Sequence, residues 1–126
     1  MTHHLPDAEK KNHDEIITSM ESKLTKLGFL VKINPNTSKK NGVKRGDITF
    51  YPDLYVYEIR GEKNIVTRLY EVETQNTVND DEAKDQWKKL AAGKSNFYLV
   101  VPKDSLDVAK ELAGKYNISV KDYLTY

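Results

Sequence analysis

The sequence predicts an α/β sandwich in the element order αβββαβαβ, a mixed central sheet with helices on both faces. Three observations predict it. Apolar residues recur at helical spacing near the N-terminus and in two later segments. Two alternating runs flank a polar turn at the centre of the chain. The stretch "NFYLVVP" is apolar almost throughout, which suits a strand covered on both faces. With 126 residues and 38% hydrophobic content, the chain suffices for one domain with a core and is short for two.

Taken in order, residues 1–12, "MTHHLPDAEKKN", are polar and without period, and read as a flexible N-terminal segment ahead of a domain over 13–126. In "HDEIITSMESKLTKLGF", Ile16, Ile17, Met20, Leu24 and Leu27 recur at steps of three and four, and Gly28 follows as a helix-ending residue. Phe29, Val31 and Ile33 alternate as a short strand, and "NPNTSKKNGVKRG" reads as a loop. Residues 46–59 carry strand propensity, with Pro52 marking a bulge, bend or edge, and 65–74 is the partner strand. In "NDDEAKDQWKKLAAG", Asn79 or Asp80 caps a helix that buries Ala83, Trp87, Leu90 and Ala91 and ends at Gly93. The "NFYLVVP" strand precedes a last helix near 104–116, burying Leu106, Ala109, Leu112, Ala113 and Tyr116, and "ISVKDYLTY" supplies a final strand.

The central hairpin carries the chemistry. If its turn centres on Glu62, Asp53 falls opposite Glu71, Tyr55 opposite Leu69 and Tyr57 opposite Thr67. Alternation puts Glu71 and Glu73 on one side, shared by Asp53. Three carboxylates then converge at the open end. Like charges so placed need a cation, a raised pKa or full solvent exposure. Mg²⁺ (or Mn²⁺), which takes one or two carboxylates together with waters and a substrate phosphate, is the sharpest answer; a solvated acidic face is the plain one. Gln75 continues the face of Glu71 and Glu73. His3, His4 and His13 lack a spaced partner cluster, so no zinc site is read from them.

Charge and composition narrow the setting. Cysteine is absent and no N-terminal apolar run resembles a signal peptide, so a cytoplasmic protein without disulfides is expected. No apolar stretch is long enough to cross a bilayer, and no membrane partner is expected. The net charge of +1 conceals Lys39, Lys40, Lys44 and Arg45 clustered in one glycine-containing loop, a candidate phosphate contact.

"PDLYVY…RLYEVETQ", followed by a helix with "AKDQW" and the strand "NFYLVV", resembles the PD-(D/E)xK nuclease superfamily, the restriction-endonuclease-like fold that includes Holliday-junction resolvases. The resemblance covers about 13–101. Pro52 and Asp53 match the proline-aspartate that opens one strand. Glu71-Val72-Glu73 falls where the acid-any-lysine triplet closes the next, with Glu73 at the lysine position. The resemblance implies that Asp53, Glu71 and the Val72 carbonyl hold Mg²⁺, and that Glu73 binds a second ion or takes the water's proton. It implies that the first helix lends an acid, Glu15 or Glu21, although a solvated helix face accounts for either, and it implies DNA as the partner and leaves a homodimer open.

A metal-dependent nuclease hydrolysing phosphodiester bonds in DNA is therefore the leading expectation. A catalytically inactive nuclease-like domain that binds nucleic acid or a protein partner is the alternative. Glu73 separates the two, because an enzyme must use it and a binding module need not. A small structural protein with an incidental acidic hairpin is a third reading, which divalent-ion binding would exclude.

Overall fold

The computed structural model describes residues 7–126. Helix α1, Asp7–Lys26, buries Ile17 and Leu24 and half-buries Ile16 and Met20. It starts ahead of the expected position, so 7–12 are helical, while residues 1–6 of the segment read as flexible lie outside the described residues. The helix closes on two reverse hydrogen bonds, from Phe29 N–H to the Leu24 carbonyl (3.1 Å) and from Gly28 N–H to the Thr25 carbonyl (3.0 Å). Gly28 sits at φ 94°, the left-handed position glycine takes at such ends. Leu27, expected in the buried stripe, lies past the helix end and is 74% exposed.

Strand β1, Leu30–Ile33, pairs antiparallel with β4, Leu54–Arg60, which pairs antiparallel with β5, Lys63–Val72. Strand β6, Asn96–Val101, runs parallel to β5, and β7, Asp122–Thr125, parallel to β6. The five form one mixed sheet in the order β1-β4-β5-β6-β7. Between β1 and β4 lies a separate two-stranded hairpin, β2, Val43–Arg45, and β3, Ile48–Phe50, turning on Gly46 at φ 57°. The continuous strand expected over 46–59 is thus broken. Pro52, fully buried and without an N–H to continue a ladder, divides β3 from β4.

The register at the site end of the β4–β5 hairpin is the expected one, with Tyr55 opposite Leu69 and Leu54 opposite Tyr70. Nearer the turn it shifts at a bulge between Val56 and Tyr57, so Tyr57 faces Val66 rather than Thr67. Thr67 falls out of the pairing, and its hydroxyl donates to the Val56 carbonyl (3.3 Å).

The second helix is continuous in three pieces: α2, Asp80–Glu82, a π turn, Ala83–Trp87, and α3, Lys88–Ala91. Asn79 caps it, its side chain accepting from Glu82 N–H (3.0 Å). A 3₁₀ turn, Lys103–Ser105, leads into α4, Leu106–Lys115. Each sheet face has its own core. Ile17 and Leu24 of α1 pack with Leu54, Val56, Tyr70, Val72 and Val100. On the opposite face Trp87 and Leu90, with Ala109 and Leu112 of α4, pack with Leu69, Phe97, Leu99 and Val101. Strand β6 contributes to both, which explains its unbroken hydrophobicity. Among the described residues, no helix is long and apolar enough to cross a membrane.

Candidate functional site

Where β4 begins and β5 ends, the sheet brings Asp53, Glu71 and Glu73 together. Asp53 directly precedes β4. Its carbonyl accepts from Asn34 N–H (2.9 Å), and its Oδ2 accepts from Val72 N–H (2.8 Å) and from His13 Nε2 (3.2 Å). It is 6% exposed. Glu71 is half-buried and in hydrogen-bonding contact with Asp53. Glu73 lies one residue beyond β5 and is held on three sides. Its N–H donates to the Val100 carbonyl (2.8 Å), its carbonyl accepts from the Tyr126 hydroxyl (2.5 Å), and its Oε1 accepts from Trp87 Nε1 (3.1 Å). Asp53 and Glu73 are thus acids withdrawn from solvent, a costly arrangement unless charge is shared or neutralised.

Protonation supplies the neutralisation. Burial pushes the Glu71 carboxyl well above its usual value, and the adjacent Asp53 charge adds to the push. Glu73 is raised to about 8, first by burial and then by the charge of Glu82. For Asp53 burial acts in the same sense but is outweighed by the hydrogen bonds from Glu71, His13 and Val72 N–H, so it stays below its usual value. The two carboxyls are thus driven apart, Glu71 toward its protonated form and Asp53 toward its charged one. His13 goes the other way: burial resists its charge, yet the bond and charge of Asp53, with help from Asp14, lift it to about 9. Tyr126 rises to about 12 through burial and the charges of Glu73 and Glu9.

Several of these groups were not singled out from the sequence, and His13 had a signal. Positions 13, 17, 20 and 24 form one helical stripe, and one turn further back the stripe reaches Glu9. Glu9 Oε1 accepts from Asn76 Nδ2 (2.6 Å), while its buried Oε2 has no hydrogen-bond partner. The first helix thus leans on the site through His13 and Glu9. Glu15, expected to lend an acid, is exposed, and Glu21 is half-buried. Gln75 does not continue the acidic face, because β5 has ended and the chain turns there, leaving Gln75 exposed. Trp87 lies in the core as expected and also donates to Glu73, a role its apolar neighbours in the sequence conceal.

The basic loop divides. Lys39, Lys40 and Lys44 are exposed. Arg45 instead caps the second helix, donating to the carbonyls of Lys89 (2.6 Å) and Leu90 (3.1 Å) with its guanidinium 4.7 Å from the Phe50 ring centroid. Gly93 gives it room, since a Cβ there would collide with the guanidinium. Arg45 is therefore a structural contact rather than a free cation.

Asp53, Glu71 and Glu73 bring three carboxyl groups to one place, where burial first and neighbouring acids second raise Glu71 and Glu73. Among the described residues no group of three or more His, Asp or Glu side chains is placed to hold a metal ion. Comparison of the chain with protein-family models, curated proteins and solved structures finds no match.

Proposed function

We propose that this chain is a metal-dependent nuclease that hydrolyses phosphodiester bonds in DNA, of the PD-(D/E)xK type and with the restriction-endonuclease-like arrangement of its αβββαβαβ core. One observation carries the reading. Asp53 and Glu71 lie in hydrogen-bonding contact at the open end of the β4–β5 hairpin, two carboxyl groups largely withdrawn from water where a cation would satisfy both. In this reading Asp53, Glu71 and the Val72 carbonyl hold Mg²⁺ or Mn²⁺. The bound ion would supply a water of lowered pKa and neutralise charge on the scissile phosphate. Glu73, next on the same side and raised to about 8 without an ion, would give up its proton when a cation binds beside it and then take that of the attacking water. Trp87 Nε1–H fixes Glu73 Oε1, and the Thr77 side chain also hydrogen-bonds the carboxyl. Lys39, Lys40 and Lys44 contact the DNA backbone, without Arg45.

A second reading, a silent nuclease-like domain that binds nucleic acid or a protein partner, is favoured by the commitment of Glu73 Oε1 to a core tryptophan. Two measurements decide between them: calorimetric titration of the protein with Mg²⁺ and Mn²⁺, and cleavage of single-stranded, duplex and branched DNA. The enzyme reading expects wild type to bind metal and cleave, and Glu73→Gln to cleave at least about a hundredfold more slowly. Wild-type cleavage no faster than that of Glu71→Gln with either ion leaves the binding module as the better account.

A further inference from the structure

The Asp53 carboxylate is held unevenly. The bonds from Val72 N–H at 2.8 Å and from His13 Nε2 at 3.2 Å both fall on Oδ2, in addition to the contact with the Glu71 carboxyl. The imidazole that makes the second bond is itself gripped. Its Nδ1 lies 3.2 Å from Asp14 Oδ1 and 3.2 Å from Asn36 Nδ2, and Asp14 Oδ1 also accepts from Asn36 N–H at 2.8 Å. The ring is buried on the α1 stripe that continues through Ile17, which is fully buried. A chain of contacts thus runs from the 34–36 segment through α1 to one oxygen of one carboxylate. A surface-anchoring histidine would need none of these further partners.

We propose that His13 is a positioning residue for Asp53, which fixes Oδ2 against the sheet and leaves Oδ1 as the oxygen that a divalent cation bound between Asp53 and Glu71 would take. The inference rests on the nuclease reading above. Nε2–H donates to Oδ2 in the neutral Nε2–H tautomer and in the charged ring alike, so the geometry does not depend on which form is present. With two donors on one oxygen, the carboxylate cannot rotate into a bidentate grip without breaking both bonds. Partners that orient a ligand in this way typically account for about ten- to hundredfold in metal affinity.

The test measures Mn²⁺ binding to the full chain by electron paramagnetic resonance, without DNA, for wild type, Asp53→Asn, His13→Leu, His13→Gln and Asp14→Asn. Thermal unfolding in EDTA checks the fold of each. His13→Leu keeps apolar bulk and removes the donor, and its Mn²⁺ affinity should fall about ten- to hundredfold. His13→Gln restores an amide donor and should recover most of the loss. A purely structural tether gives no such rescue at equal stability. Asp14→Asn loosens the grip on the ring without touching Asp53 and should weaken binding a few-fold, which keeps the proposal testable if His13→Leu does not fold. Where wild type binds Mn²⁺ and Asp53→Asn does not, wild-type affinity in His13→Leu, no rescue by His13→Gln, or an unaffected Asp14→Asn overturns the positioning role alone. Failure of wild type to bind Mn²⁺ overturns both the role and the nuclease reading.

Discussion

At its turn the β4–β5 hairpin holds Glu58, Arg60, Glu62 and Lys63 in solvent, whereas at its open end it holds Asp53, Glu71 and Glu73 largely out of it. Both ends contain an ion pair. Arg60 meets Glu58 at 2.7 Å with side chains 65% and 56% exposed, and His13 meets Asp53 at 3.2 Å with side chains 7% and 9% exposed. The shorter pair is energetically the lesser, because water screens both partners and each gives up side-chain freedom to form it. The longer pair has little water to fall back on, so losing either partner strands the other. Charge density alone therefore does not distinguish the two ends. What differs is that Trp87, Pro52 and the first turns of α1 exclude solvent from one of them, and there burial raises the Glu71 and Glu73 carboxyls.

The largest effect that would break this comparison is catalytic. Glu71→Gln should abolish Mg²⁺-dependent DNA cleavage, a loss of about a thousandfold or more, while Glu58→Gln leaves it unchanged. Equal loss in both, measured as kcat/KM on one DNA substrate, would remove the distinction between the ends.

A smaller effect concerns stability and pH without metal. Glu73 binds its proton more tightly folded than unfolded, so its contribution to stability is complete below its ordinary value of 4.5 and is lost as pH rises through about 8. Glu71 acts in the same direction. His13, raised from 6.5 to about 9, contributes fully below 6.5 and progressively less as pH rises through 9. Asp53 opposes them only when pH falls below its ordinary 3.8. The EDTA-treated protein should therefore lose stability between about pH 5 and 9, on the order of 2–3 kcal/mol once the coupling of these groups is discounted. Glu73→Gln should flatten the profile and Glu58→Gln should not. Thermal midpoints that stay level across that range would contradict the retained protons.

Within the buried end, Trp87 separates packing from hydrogen bonding. Trp87→Phe keeps an aromatic ring but removes the Nε1–H donated to Glu73 Oε1, which should destabilise by about 1–2 kcal/mol. That bond holds the Glu73 pKa down, so its loss should raise the value above the present level of about 8, read by carboxyl-carbon NMR titration. An unmoved Glu73 titration would show that the indole only fills space.

The same division governs what the sequence disclosed. The pairing of Tyr55 with Leu69 followed from turn position and alternation, and the Asn79 cap and Gly28 stop followed from local backbone chemistry. These features depend on neighbours in the chain. The β2–β3 hairpin was hidden because its strands have three residues each, too few for alternation to register. The bulge at Thr67 belongs to the mismatch of two twisting strands and has no residue signature. Arg45 looked like its lysine neighbours, and only the fold brings it beneath the second helix. His13 was legible in principle, since it extends the α1 stripe by one turn, but a polar residue in a polar stretch does not register as core. The triplet Glu71-Val72-Glu73 located the acids, whereas their burial depends on partners as distant in sequence as His13 and Trp87.

The smallest expected effect lies at the turn and sharpens the comparison by its size. Arg60 donates to Glu58 Oε2 through both Nε (3.2 Å) and Nη2 (2.7 Å), geometry that on a buried surface would matter. Here both side chains are mostly exposed, the two residues are only two apart on one strand, and added salt competes with the pair. Arg60→Gln, Glu58→Gln and the double variant should each change unfolding free energy by less than about 0.5 kcal/mol, with a coupling energy near zero in 0.5 M salt. The corresponding cycle on His13 and Asp53, using His13→Gln and Asp53→Asn, should give a larger coupling that salt barely alters, because few ions reach that pair. Equal couplings at the two ends, or equal sensitivity to salt, would mean that solvent enters the site as freely as it surrounds the turn. The burial on which the raised Glu71 and Glu73 values depend would then be wrong.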